Sequence, residues 1–80
     1  MSDQDGKNEE FVIFVNKKQV KVSQPTLTGG QVLTDAGYSP SQYDLYVVRG
    51  QKSEQILSDQ PVTIENGLHF NAILKHAPYG

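Results

Sequence analysis

The stretch Phe11-Val12-Ile13-Phe14-Val15-Asn16-Lys17-Lys18-Gln19-Val20-Lys21-Val22-Ser23 decides the fold. Its first part is a β-branched and aromatic run of strand type. Asn16-Lys17-Lys18 reads as a tight turn, because asparagine tolerates left-handed backbone angles. Beyond it the chain alternates, with Val20 and Val22 on one face and Gln19, Lys21 and Ser23 on the other. Two such runs joined by so short a turn make an antiparallel hairpin.

Downstream, Pro25 closes the second strand and a helix start follows. Thr28 and Gln31 have capping-box spacing, so the hydroxyl accepts from the Gln31 amide while the Gln31 side chain reaches back. Leu27 and Val32 stand where a hydrophobic staple places them. Val32, Leu33 and Ala36 form an apolar stripe, and Gly37 supplies a left-handed C-terminal cap. Gly29 and Gly30 each cost about 1 kcal/mol of helix propensity, so packing must hold this helix. They make no phosphate loop, since the expected Lys-Ser/Thr is absent; close approach of helix to sheet explains them instead. Ser39-Pro40-Ser41-Gln42 predicts a single helical turn. Tyr43 to Arg49 reads as a third strand ended by Gly50, and Gln55-Ile56-Leu57 as a short edge strand. Pro61 to Ile64 fits either a helical turn or extended chain. Asn66-Gly67 marks a turn, and Leu68 to Leu74 is the last strand.

Upstream, residues 1–10 are polar and lack apolar periodicity, which reads as a flexible lead-in. Residues 11–74 form one domain and residues 75–80 an extended tail. The 80 residues carry a net charge of −2 and no cysteine, which excludes disulfides, a thiol nucleophile and a Cys-based zinc site. Scattered lysines argue against nucleic acid, and no apolar run approaches the ~18 residues of a membrane span. The N-terminus lacks a signal-peptide layout. These features lead us to expect a cytoplasmic domain, monomeric when free, that needs no cofactor. His69 and His76 are too few for a metal. Ser58, Asp59 and His69 are too common a set to make a hydrolytic site. No internal residue is equipped for catalysis, so the chain is expected not to be an enzyme.

The order hairpin, helix, strand, short strand, strand predicts an α+β fold of β-grasp type, a mixed sheet packed on one short helix. First and last strands should pair in parallel at the centre. Ile13, Val15, Val20, Val22, Leu27, Val32, Leu33, Leu45, Val47, Leu68 and Phe70 are the expected core. Tyr46, Val48, His69 and Asn71 then point away from the helix and form a mixed apolar patch. Phe14 and Val12 also face outward, as a second patch. Gly80 has no Cβ, and as a terminal residue it could enter a narrow channel and offer an unhindered carboxylate; the other reading is a loop that simply ends there.

In this order the residues resemble ubiquitin. Ile13-Phe14-Val15 resembles its first strand, Leu57-Ser58-Asp59 the segment before its last turn, and Leu68-His69-Phe70 its last strand. Closer still is the resemblance to the bacterial multiubiquitin family, carried by Ile13-Phe14-Val15-Asn16, Thr26-Leu27-Thr28-Gly29 and Tyr43-Asp44-Leu45-Tyr46-Val47-Val48-Arg49-Gly50. The ending departs from the family pattern, with Tyr79-Gly80 where a Gly-Gly pair is usual. The resemblance implies a protein modifier conjugated through Gly80 to target amines. An E1-like enzyme would activate it with ATP, an E2-like enzyme transfer it and a JAB-type metalloprotease remove it, with a role in antiviral defence. Lys75, His76, Ala77, Pro78 and Tyr79 would be read by those partners, and the Tyr46 patch lies where ubiquitin carries its recognition patch. The alternatives are a sulfur carrier and a non-covalent β-grasp binding module.

Overall fold

The computed structural model describes residues 10–75. Strands β1 (Phe11–Val15) and β2 (Lys18–Val22) form the expected hairpin, with Ile13 opposite Val20 and Val15 opposite Lys18. Both loop residues are left-handed, Asn16 at φ 54° and Lys17 at φ 69°. A two-residue type I′ turn requires that pair of angles, and its twist matches the strands it joins. Ile13 and Val15 are completely buried, so the register faces the core as the alternation predicts.

Between Pro25 and the helix the structure inserts a strand that the sequence pattern hides. β3 (Thr26–Thr28) pairs antiparallel with β6 (Pro61–Thr63), Leu27 opposite Val62, as a separate two-stranded sheet. Thr28 ends β3 and caps α1 (Gly29–Ala36) at once, because its extended backbone serves both roles. Its Oγ1 accepts from the Gln31 amide at 3.2 Å, and Gln31 Oε1 accepts from the Thr28 amide at 2.9 Å. Gly37, at φ 92°, closes the helix. The glycine pair is explained, as expected, by close approach of the helix to the sheet, at the Ile56 end of its edge strand and the residues just beyond it. The Gly29 and Gly30 amides donate to the Gln60 and Ser58 carbonyls at 3.0 and 2.9 Å. A Cβ at Gly29 would overlap the Leu57 carbonyl oxygen, and one at Gly30 would lie 3.1 Å from that of Ser58. The helix N-terminus is thus filled by the chain's own carbonyls. Ser39 to Gln42 is a single hydrogen-bonded turn, with the Gln42 and Tyr43 amides both donating to the Ser39 carbonyl.

The main sheet is completed by β4 (Tyr43–Arg49), β5 (Lys52–Ile56) and β7 (His69–Leu74) in the order β2-β1-β7-β4-β5. β5 is longer than the sequence suggests and stops before Leu57. β7 runs parallel to β1 and antiparallel to β4, which puts it at the centre of the sheet. The Asn66-Gly67 turn delivers it there: Gly67 is left-handed at φ 83°, its amide donates to the Val12 carbonyl, and Asn66 Oδ1 accepts from the Val12 amide. This is the β-grasp fold. Every position expected in the core is buried, joined by Ala36, Ile56, Val62, Ile64 and Ala72, and no polar residue is buried among the described residues.

Candidate functional site: the open sheet face

One face of the main sheet packs on α1; the other carries no covering element among the described residues. Period-two alternation sends Val12 and Phe14 of β1, His69 and Asn71 of β7, and Tyr46 and Val48 of β4 to that open face. Register decides which of them meet. Val48 stands opposite His69 and Tyr46 opposite Asn71, so Tyr46 and His69 are diagonal neighbours. Phe14 stands opposite His69 on the other side, and their rings stack at 4.9 Å and 14°. The Phe14 and Val12 pair, expected as a second patch, is therefore continuous with the first. The parallel β1–β7 pairing that joins them cannot be counted off along the chain. Phe14, Tyr46 and Val48 are half-buried, while His69 and Asn71 are exposed.

The arrangement offers an apolar row, Phe14–His69–Val48, edged by hydrogen-bonding side chains, which suits contact with another surface. It does not bring Ser58 and Asp59 to His69. Ser58 and Asp59 lie beyond the Ile56 end of β5, whereas Val48, beside His69, pairs with Ser53 near the other end. Among the described residues no group of three His, Asp or Glu could hold a metal ion.

At the far end of β7 the chain leaves the sheet. β1 turns away after Val15, and the Asn16 side chain takes over its ladder: Oδ1 accepts from the Ala72 amide at 2.9 Å, and Nδ2 donates to the Ala72 carbonyl at 3.0 Å. Nδ2 also donates to the Tyr38 hydroxyl, and Tyr38 meets Tyr43 edge-on. Lys75, assigned to the tail by sequence, is tied to the domain. Its amide donates to the Gln42 carbonyl at 2.8 Å, and its Nζ lies 4.0 Å from Asp44. His76, Ala77, Pro78, Tyr79 and Gly80 lie outside the described residues. The role of Asn16 had a sequence signal only as a turn former.

The family model for multiubiquitin matches residues 11–76. The chain belongs to the multiubiquitin family. No curated protein and no solved structure matches it. The family match opens on the first residue of β1 and spans every strand and the helix, so the multiubiquitin domain and the β-grasp fold are one unit here. Among the described residues of this multiubiquitin-family domain, no helix is long and apolar enough to cross a membrane.

Proposed function

We propose that this domain is a ubiquitin-like modifier, the substrate of a conjugation reaction rather than its catalyst. The observation that supports it is the family match over the whole β-grasp unit. The chemistry follows from the carboxylate. A carboxylate is a poor acyl donor, so an E1-like enzyme first joins the Gly80 carboxylate to AMP, releasing pyrophosphate from ATP. An enzyme cysteine then takes the acyl group as a thioester and releases AMP. After transfer to an E2-like enzyme, a target lysine amine attacks the thioester, giving an isopeptide bond and returning the thiol. Gly80 leaves room for this attack because it has no Cβ. Pro78 limits the freedom of the tail, Tyr79 offers an aromatic hold, and the Phe14–His69–Val48 face with Tyr46 and Asn71 is the surface that partners recognise. A JAB-type metalloprotease reverses the linkage, and the setting is the cytoplasm, in antiviral defence.

Intact-mass analysis of the protein incubated with its E1-like partner and ATP tests this. Wild type is expected to form an enzyme thioester, and the Gly80 deletion none. A thiocarboxylate at Gly80 in place of a conjugate would make it a sulfur carrier. Charging of the Gly80 deletion would leave a non-covalent module as the better account.

A further inference from the structure

Two strands end the main sheet, β2 and β5, and their free edges differ in charge. β2 carries Lys18 and Lys21, with Lys17 in the turn beside them, and no acidic residue. Two such edges repel one another, a common way of keeping sheet edges from pairing. β5, Lys52-Ser53-Glu54-Gln55-Ile56, holds one charge of each sign and is exposed except at Ile56. Lys52 and Glu54 stand opposite Arg49 and Val47, so they share the helix-side face, yet both are exposed. Ser53 and Gln55 stand opposite Val48 and Tyr46, on the open face. The turn decides which backbone groups are free. Gly50, left-handed at φ 61°, and Gln51 form a two-residue loop, so Arg49 and Lys52 exchange both hydrogen bonds of the closing pair. Counted along β5 from there, the backbone groups of Lys52, Glu54 and Ile56 face β4, and those of Ser53 and Gln55 face outward.

We propose that β5 is a self-complementary edge, through which two copies of the domain pair antiparallel with Ser53 opposite the partner's Ser53. Two β5 strands must bond through Ser53 and Gln55, which leaves three antiparallel registers. With Gln55 opposite the partner's Gln55, Glu54 meets the apolar side chain of the partner's Ile56. With Ser53 opposite the partner's Gln55, the two Glu54 carboxylates meet each other. With Ser53 opposite the partner's Ser53, Lys52 meets the partner's Glu54, and twofold symmetry repeats the pair. The same register has a second effect, on the open face. Ser53 lies level with Val48, Val48 with His69 and His69 with Phe14. The apolar rows of the two copies therefore fall on one line, as two five-stranded sheets become one of ten. Both rows look the same way, because the twofold axis is perpendicular to the sheet. Five strand spacings, about 24 Å, separate the two His69 residues. A partner surface that reads the open face can then engage it twice. A single strand pair is a small interface of the transient class, so the free monomer expected from the sequence is the dilute state. The pairing does not depend on the modifier reading.

Sedimentation equilibrium of the full chain over a concentration series tests this, for wild type, Lys52→Glu, Glu54→Lys, the double variant carrying both changes, and Lys21→Glu on the other edge. Wild type is expected to pass reversibly from monomer to dimer. Each single β5 variant sets like charges opposite one another twice and should weaken the dimer about tenfold or more, while the double variant restores it to within about threefold. Lys21→Glu makes the same change in net charge as Lys52→Glu and should leave the dimer intact. Amide exchange on wild type alone gives a second readout. The Ser53 and Gln55 N–H groups should gain protection as concentration rises, and those of Gln19 and Lys21 should not. A wild type that stays monomeric throughout overturns the proposal, as do single variants that dimerise like wild type. A folded double variant that fails to recover overturns the register. Growth beyond two copies overturns the closed pair, since it requires unlike edges to join.

Discussion

Asn16 and Lys17 share left-handed backbone angles, yet replacing each by glycine should have opposite effects. At Lys17, φ 69° costs a residue with a Cβ about 1–2 kcal/mol. Glycine removes that cost but loses about 0.5–1 kcal/mol more backbone entropy on folding. Lys17→Gly is therefore expected to stabilise the domain by about 0.5 kcal/mol in urea unfolding. Asn16→Gly relieves the same angle but deletes the side chain that serves both polar groups of Ala72 and the Tyr38 hydroxyl. It should destabilise by about 2 kcal/mol, because part-buried groups lose their partners. Gly29→Ala gains helix propensity, yet its methyl overlaps the Leu57 carbonyl, which is backbone and cannot swing aside. The expected result is a net loss of about 1–3 kcal/mol, read from the same unfolding curves. The capping box was legible because its three-residue spacing is local; that the glycines serve close approach to the sheet was legible too, but not which carbonyls they meet, since these lie about thirty residues along the chain.

At the scale of elements, alternation fixed which residues of β4 and β7 face outward, and the Tyr46–Val48–His69–Asn71 grouping followed from it. Two things stayed hidden. β3 and β6 have three residues each and pair Leu27 with Val62, so neither shows a period of its own, and Thr28 had already been claimed by the helix cap. The union of Phe14 with His69 needed the parallel register of β1 against β7. Tyr46 is half-buried against its neighbours and contributes to the exposed face rather than the core. Under the modifier reading, Tyr46→Ala should weaken binding to the E1- or E2-like partner by about 1–3 kcal/mol in calorimetric titration. The unfolding midpoint should hardly move. Unchanged affinity would reduce the face to ordinary surface.

For the whole molecule, stability rests on one apolar core with no disulfide or buried ion pair among the described residues. Under the modifier reading, deletion of Gly80 should abolish thioester formation while leaving the thermal transition within error of wild type, because terminal residues contribute little to a domain's stability. A marked loss of stability would show that the end of the chain belongs to the fold. β7 also joins what precedes it: it lies between β1 and β4, so the β1–β2 and β4–β5 hairpins share no strand partner until it arrives. During synthesis the domain cannot close its sheet before residue 74 has cleared the ribosome. A chain released early lacks the one strand that joins its two hairpins, and is left with two unpaired sheet edges in place of a finished fold.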